Sequence, residues 1–251
     1  MPRFYTEKEN IGDDEIVIKG GDFNHIKNVL RMKIGEHLTV CDALGQDYEC
    51  EINLFLQNEV RLTIIDRFET TTELPARITL YQGFPKKDKM ELIIQKAVEL
   101  GVTRIVPVMT KRVIVKIEDK KKELSKLERF NAISESAAKQ SGRGIIPVVE
   151  PLMTFEEALK AAKDDEIAMI PYEKADNISD TKEIMSGIGK AKSISVFIGP
   201  EGGFEEIEIE KAINEGIKPV TLGKRILRTE TAGLAILSYI MMTKELENSK
   251  V

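Results

Sequence analysis

Two short loops late in the sequence bring together glycines, carboxylates and a guanidinium. The first is Gly199-Pro200-Glu201-Gly202-Gly203, which follows a buried-strand pattern that ends at Ile198. Three glycines in five residues let a ligand approach the backbone closely, because no Cβ atoms stand in the way. The spacing is neither G-x-G-x-x-G nor the Walker pattern, and Glu201 would repel a phosphate. The loop therefore predicts a site for a neutral or cationic ligand.

The second loop runs from Leu222 to Arg228 and separates a short strand pattern from a helix pattern that begins at Thr229. From Ser193 onward the order is strand, glycine loop, helix, strand, polar loop and helix. In parallel α/β sheets, ligands bind at the carboxyl ends of the strands. Both loops are therefore expected to border one site, to which the second loop brings Arg228 and the start of the following helix brings Glu230.

The same loops carry a family resemblance. IGPEGGF, which starts at Ile198, and LGKRILRTETA, which starts at Leu222, together resemble the two C-terminal motifs of the SPOUT methyltransferase superfamily. More narrowly, they are similar to the family that methylates N3 of a uridine in bacterial 16S ribosomal RNA. The pattern extends over nearly the whole chain, since it also includes Asn24–Gly35, Lys89–Gly101 and Ser134–Arg143. One departure is Glu205, where relatives often have a small N-capping residue, and this predicts a weaker helix cap.

The resemblance implies a fold, a cofactor and partners. The expected fold is α/β, with a SPOUT-type parallel sheet, a C-terminal trefoil knot and a small N-terminal PUA-like β-barrel. The expected methyl donor is S-adenosylmethionine, and the expected partner is 16S ribosomal RNA or the small ribosomal subunit. The resemblance also favours a homodimer with each active site completed across it. We expect the following residues to bind the donor: Ile170, Pro171, Ile198, Gly199, Pro200, Glu201, Gly202, Gly203, Leu222, Gly223, Ile226, Leu227, Thr229, Thr231 and Ala232.

Methyl transfer to a uridine N3 requires that the nitrogen lose its proton while negative charge spreads onto the neighbouring oxygens. A guanidinium near those oxygens would stabilise this charge, and Arg228 is the candidate. The base is Glu201, Glu230 or water, and the sequence does not choose among them. An alternative is that Arg228 only pairs with one of these carboxylates and shapes the loop. Similarly, Thr229 and Thr231 can be helix caps.

Basic residues in both regions of the chain are candidate contacts to RNA phosphates. Each one alone is more often an ordinary surface charge, but as a set they predict a basic groove. Two residues of this set, Gln140 and Arg143, either lie near the substrate or end a helix before Gly144. Lys120-Lys121-Lys122 is interpreted as a solvated helix face. The predicted contacts are Arg3, Lys27, Arg31, Lys33, Lys89, Lys96, Arg112, Gln140 and Arg143.

The elements that position these residues fall into two regions. Residues 1–70 show the polar–apolar alternation of half-buried antiparallel strands, with one helix over Phe23–Met32 behind Asp22, and we interpret them as the PUA-like RNA-binding domain. Residues 71–251 alternate strand and helix patterns, which favours a mainly parallel sheet covered on both faces, and we interpret them as the methyltransferase domain.

Composition bounds the class of protein. The chain has 251 residues, 42% hydrophobic and 31% charged, which is typical of a globular protein. Its net charge of −5 argues against indiscriminate nucleic-acid binding, although it permits a local basic face. No apolar run is long enough to cross a membrane, no signal-peptide core is apparent, and the two cysteines and two histidines lack zinc spacing. We therefore expect a cytoplasmic protein without a metal.

Two functions from different classes fit these features. The first is S-adenosylmethionine-dependent methylation of N3 of a 16S uridine. The alternative is a non-catalytic RNA-binding protein with a degenerate methyltransferase domain. The intact glycine loop and the intact LRTETA motif favour the enzyme, because a degenerate site has no reason to keep both.

Overall fold

The computed structural model describes residues 1–86, 88–113, 120–175 and 178–248, and the chain forms two compact units. The first unit comprises Met1–Glu73 and Ala138–Ile146, and the second comprises Leu74–Ala137 and Pro147–Val251. The domain boundary predicted at residue 70 falls close to Glu73. No pattern in the sequence indicates that 138–146 belongs with the first unit.

The first unit is built on a five-stranded sheet in the order β1-β3-β4-β5-β2. Its strands are β1 (Arg3–Tyr5), β2 (Glu15–Lys19), β3 (His37–Cys41), β4 (Gln46–Phe55) and β5 (Glu59–Glu69). All neighbouring strands are antiparallel except β1 and β3. Phe4 of β1 and Ile16 of β2 share one buried core with Leu38 and Ile52, although β1 and β2 lie at opposite edges. The sheet is therefore curled around this core.

The helix predicted over Phe23–Met32 has different bounds. Helix α1 (Gly20–Asn24) continues as a π-helical turn over His25–Val29, and Asp22 lies inside α1 rather than before it. Within the predicted helix, Phe23 and Ile26 are buried, whereas Val29 and Leu30 are 64% and 41% exposed, so burial supports only its first part.

The returning segment 138–146 is bound to the rest of the first unit by hydrogen bonds. Tyr5 Oη donates to the carbonyl of Arg143 at 2.6 Å, and the carboxylate of Glu73 accepts from Gly144 N at 2.9 Å. The Arg143 guanidinium is paired with Glu73, and the residue is only 3% exposed. This burial argues against the predicted phosphate contact at Arg143, whereas Gln140 is exposed.

The second unit contains a parallel sheet in the order β12-β10-β11-β6-β7-β8, with β9 also paired to β7. Its predicted parallel α/β organisation is confirmed, and the trefoil knot stays a prediction. The strands are β6 (Arg77–Gly83), β7 (Arg104–Met109), β8 (Val148–Val149), β9 (Met153–Thr154), β10 (Ile167–Pro171), β11 (Ser193–Ile198) and β12 (Lys218–Val220).

Helices cover both faces of this sheet. On one face, Tyr81 and Phe197 stack at 4.4 Å in a core shared with α4 and α6. The alternation of β residues turns Ile198 to the other face, where it lies beside Gly233 of α7. In the described part of the chain, no helix combines the length and apolarity needed to cross a bilayer. The helices are α2 (Lys89–Glu99), α3 (Lys120–Ser141), α4 (Phe155–Ala161), α5 (Ile178–Gly187), α6 (Glu206–Asn214) and α7 (Thr229–Asn248).

Candidate functional site

A cavity of about 490 Å³ lies at the carboxyl ends of β10, β11 and β12 in the second unit. These three strands are neighbours in the sheet, so the loops that leave them meet at one edge. The glycine loop 199–203 after β11 and the loop 221–228 between β12 and α7 form most of its lining. Pro171, the last residue of β10, contributes the remaining side.

The structure brings most of the predicted donor-binding residues to this cavity. Two predicted donor-binding residues do not line it: Ile170 is fully buried in the core, and Thr231 is exposed on the first turn of α7. Of the three catalytic candidates, Glu201 and Arg228 line the cavity and Glu230 does not. The donor-binding candidates that line it are Pro171, Ile198, Gly199, Pro200, Glu201, Gly202, Gly203, Leu222, Gly223, Ile226, Leu227, Thr229 and Ala232.

Close backbone packing shapes the glycine loop. A Cβ atom on Gly199 would lie 3.1 Å from Gly203 Cα, and Gly203 has a φ of +67°. A Cβ on Gly83, at the end of β6, would lie only 2.6 Å from Cδ of Pro200. The loop therefore requires glycine both within itself and on the neighbouring strand. The local sequence does not indicate this role of Gly83, apart from its position at the end of an apolar strand.

A hydroxyl joins the two loops. Thr229 Oγ1 donates to the carbonyl of Gly199 at 2.6 Å and accepts from Gln82 Nε2 at 2.9 Å. Gln82 Nε2 also donates to the carbonyl of Gly83. Gln82 is fully buried and Thr229 is 5% exposed, so water does not replace these bonds easily. The sequence could have indicated Gln82 only in that it is a polar residue near the end of a buried strand.

An ammonium bridges the two carboxylates that the sequence singles out. Lys89 Nζ lies 3.2 Å from Glu201 Oε1 and 3.2 Å from Glu230 Oε2. Glu201 also accepts a hydrogen bond from the backbone N–H of Lys86 at 3.1 Å. Lys89 was predicted to contact an RNA phosphate, but the structure places it beside the cavity between two anions.

These contacts set the protonation of both carboxylates. Burial alone would raise the pKa of Glu201, but hydrogen bonds from its own N–H, from Lys89 and from Lys86 outweigh it, so the pKa is lowered. The pKa of Glu230 is also lowered, chiefly by a hydrogen bond from its own N–H, against burial and with help from Lys89 and the charge of Arg228. Both groups are therefore anions at neutral pH.

Arg228 is exposed at the border of the cavity. Its carbonyl accepts from Ala232 N at 2.8 Å in the first turn of α7. Among the described residues its guanidinium forms no ion pair, whereas Lys89 lies 3.2 Å from a carboxylate oxygen of both Glu201 and Glu230. The alternative in which Arg228 pairs with one of these carboxylates is therefore not the arrangement of this structure.

Lys111 and Arg112, which follow β7, support the glycine loop and the start of α6 from outside the cavity. The Arg112 guanidinium donates to the carbonyl of Gly202, and its Nε lies 3.9 Å from a Glu205 carboxylate oxygen. The carboxylate of Glu208 accepts from Lys111 N and Glu205 N, each at 2.9 Å. Glu208 therefore caps the amino terminus of α6, although the presence of Glu205 at the cap position had predicted a weak cap.

The other predicted phosphate contacts differ in how accessible they are. In the first unit Lys27, Arg31 and Lys33 are exposed, whereas Arg3 is bound to Asp47 at 2.8 Å. Arg31 has a φ of +55°, which side chains with a Cβ adopt at a cost.

On α2 of the second unit, the Lys96 ammonium is paired with Glu99 at 2.8 Å. Lys89 and Lys96 are thus both engaged with carboxylates of the protein.

Comparison with known proteins decides the family. Residues 72–241 match the family described as RNA methyltransferase domain, and residues 18–53 match the family described as RNA methyltransferase PUA domain. The chain belongs to the RNA methyltransferase family.

Similarity to members of this family extends over nearly the whole chain. The chain is 36% identical to ribosomal RNA small subunit methyltransferase E of Bacillus subtilis, with 98% of each chain covered. The solved ribosomal RNA small subunit methyltransferase E of Neisseria gonorrhoeae, bound to S-adenosyl methionine, matches with a TM-score of 0.80 at 34% identity, covering 96% of this chain and 97% of that chain. A Legionella pneumophila methyltransferase in complex with SAM matches with a TM-score of 0.77 at 30% identity, covering 96% of each chain.

The hydroxyl of Thr229 gives a stability prediction. Thr229→Val keeps the shape of the side chain but leaves Gly199 O without its donor and removes one acceptor from Gln82. We expect the free energy of unfolding to fall by about 1–3 kcal/mol. Thr231→Val, two residues later and exposed, is the matched control and should change it by less than about 0.5 kcal/mol. Urea unfolding measures both, and equal midpoints for the two variants would contradict the role of the hydroxyl.

Proposed function

We propose that this protein transfers a methyl group from S-adenosylmethionine to N3 of a specific uridine in 16S ribosomal RNA. The observation that carries the proposal is the cavity between the glycine loop and the loop 221–228, with the anionic Glu201 in its lining and the exposed Arg228 at its border. The names of the relatives, and the donor bound in two solved ones, support the reaction class.

The residues present fit the methyl donor. S-adenosylmethionine supplies an electrophilic methyl group on a sulfonium cation. The carboxylate of Glu201 is ionised and lines the cavity, so it favours a cation there. Gly199, Gly202 and Gly203 line the cavity and carry no Cβ atom, so a donor would be able to lie directly against the glycine-loop backbone. Binding and orientation are therefore the main tasks of these loops.

Arg228 is assigned to the charge that develops on the uracil. As N3 loses its proton, negative charge spreads onto the two neighbouring oxygens. A guanidinium that is exposed beside the cavity is able to donate to such an oxygen. A preorganised donor of this kind lowers the barrier because it interacts most strongly with the charged transition state.

The base is assigned to water rather than to either carboxylate. Glu201 and Glu230 both have a lowered pKa, and a carboxylate with a lowered pKa accepts a proton poorly. Lys89 would also have to lose an ionic partner whenever one of them was protonated. We therefore assign these two residues to electrostatic support of the donor site, with Lys89 holding their positions.

An exposed stripe of α7 is the surface through which we propose that a second copy of the chain binds. Ala235, Tyr239, Met242 and Leu246 lie at spacings of four, three and four residues, so they share one face of the helix. The last three are 47%, 58% and 62% exposed, while the opposite face, with Ile236 and Ile240, is buried. An apolar stripe of this kind is typical of a helix that packs against a partner. We propose a homodimer through this stripe, in the cytoplasm.

The dimer is tested at Met242. Met242→Glu places a charge in the middle of the stripe and should convert the dimer to a monomer, because a buried unpaired carboxylate is costly. Ile213→Glu, on the exposed side of α6 at 50% exposure, is the matched control and should remain dimeric. Sedimentation equilibrium distinguishes the two. A wild-type protein with the mass of one chain would refute the proposal.

The reaction is tested on ribosomal RNA from a strain in which the gene has been deleted. Purified protein and S-adenosylmethionine should add one methyl group, which mass spectrometry and nucleoside standards should assign to N3 of a single uridine. Assaying free RNA and assembled small subunits in parallel identifies the substrate. RNA binding without methyl transfer to either would instead support the alternative, a non-catalytic RNA-binding protein with a degenerate methyltransferase domain.

Arg228 is tested by separating turnover from binding. Arg228→Ala should lower single-turnover methylation by roughly 10²–10³-fold, because it removes one preorganised donor, while the dissociation constant for the methyl donor stays near the wild-type value. Arg228→Lys should recover little, since an ammonium does not reproduce the planar guanidinium. Near-normal turnover in the alanine variant at saturating donor and RNA would exclude Arg228 from the chemistry.

A further inference from the structure

The loop 221–228 concentrates positive charge at the candidate site. Residues 221–229 contain three cations, Lys224, Arg225 and Arg228, and no carboxylate, in a chain whose net charge is −5. All three cations are exposed, and all three line the cavity. Arg228 is assigned above to the uracil. Lys224 and Arg225 are not needed for that task, so their charges are available for another one.

Lys224 and Arg225 have no partner within the protein. In the part of the chain that the structure describes, neither side chain forms an ion pair, a hydrogen bond or a contact with an aromatic ring. Other cations at the same cavity are engaged, since Lys89 lies between two carboxylates and Arg112 donates to the carbonyl of Gly202. Two like charges on adjacent residues repel each other, so an anion that binds near both is attracted by both.

This part of the loop projects into solvent. Ile226, which follows the two cations, is 86% exposed. Before them, Gly223 has a φ of +101°, and its N–H donates to Thr221 Oγ1 at 3.2 Å, so a tight turn precedes the projection. The two cations are therefore presented at the outer border of the cavity, where a large ligand arrives, rather than on its floor.

The exposed carboxylates of the cavity belong to other segments. Glu173 follows β10 and Glu201 lies in the glycine loop, and both line the cavity. The methyl donor carries a sulfonium and an ammonium, which these carboxylates attract, and only one carboxylate of its own. An RNA strand carries an anion at every nucleotide, which Glu173 and Glu201 repel and the loop 221–228 attracts. Charge thus favours the donor beside the carboxylates and the RNA strand along the loop 221–228.

We propose that Lys224 and Arg225 bind the backbone phosphates of the RNA that flank the methylated nucleotide. This inference rests on the proposed function. Three residues of chain span at most about 11 Å, so Arg225 and the Arg228 assigned to the base belong to one small surface. Phosphate contacts fix the position and register of a strand without reading its sequence. The two cations would therefore hold the strand in place while the target base leaves the stack and enters the cavity.

The test compares variants that remove one charge at opposite edges of the sheet. Lys224→Gln and Arg225→Gln each remove a cation from the border of the cavity. Lys190→Gln removes an exposed cation that comes just before β11, at the amino end of the sheet. A strand as long as β11 spans about 17–20 Å, which exceeds the Debye length of about 10 Å at 0.1 M salt. Lys190→Gln therefore controls for the change in net charge.

Affinity for small-subunit ribosomal RNA from the deletion strain is measured as a function of salt concentration. For Lys224→Gln and Arg225→Gln we expect the slope of log K against log salt to decrease in magnitude by about 0.7–0.9 each, which corresponds to one phosphate contact, and by about twice as much in the double variant. Lys190→Gln should keep the wild-type slope. Lys224→Arg and Arg225→Lys keep the charges and should restore it.

Calorimetry with S-adenosylmethionine distinguishes an RNA phosphate from the carboxylate of the donor. The dissociation constant for the donor should be the same in all variants, which also shows that they are folded. Weaker donor binding with a wild-type salt slope would overturn the inference and assign the two cations to the donor. Equal slopes for Lys224→Gln, Arg225→Gln and Lys190→Gln, where the wild-type protein methylates RNA, would overturn the inference alone. A wild-type protein that neither binds the donor nor methylates the RNA would overturn the proposed function as well.

Discussion

The hydroxyl of Thr229 connects the parts of the candidate site. The glycine loop leaves β11 and α7 begins after β12, so the two segments are separated by α6 and a strand along the chain. One donated and one accepted hydrogen bond hold them against each other and against the end of β6. Because these bonds are buried, they fix the distance between the glycine-loop backbone and the Arg228 loop more firmly than exposed contacts would. The cavity has a defined shape for this reason.

Charge provides a second level of organisation around the same loops. Lys89 lies between Glu201 and Glu230, so one ammonium is within 3.2 Å of an oxygen of both carboxylates. The guanidinium of Arg228 stays outside this group and exposed. Lys89 therefore makes the ionic contacts with the two carboxylates, and Arg228 is the cation that remains exposed to a ligand. Because the two cations occupy different positions, both carboxylates stay ionised near Arg228 without forming an ion pair with it.

The glycine loop and the Arg228 loop were predictable because each is a short continuous motif at a strand end. Gln82, Gly83 and the bridging role of Lys89 were not, since they act from β6 and α2 and their local patterns show only a strand end and a helix start. Sequence also did not separate buried cations from exposed ones. Arg143 and Lys33 were both predicted to contact phosphate, yet Arg143 is buried against Glu73 whereas Lys33 is exposed.

The return of residues 138–146 to the first unit has a consequence for synthesis on the ribosome. The carboxylate of Glu73 has no hydrogen bonds from Gly144 N and Ile145 N until those residues have emerged from the ribosome. The hydroxyl of Tyr5 likewise has no bond to the carbonyl of Arg143 until then. Chains usually fold from the amino terminus as they are made, at about 5–20 residues per second. The first unit of this protein is therefore completed only when more than half of the chain is outside the exit tunnel, although all five strands of its sheet lie before residue 70.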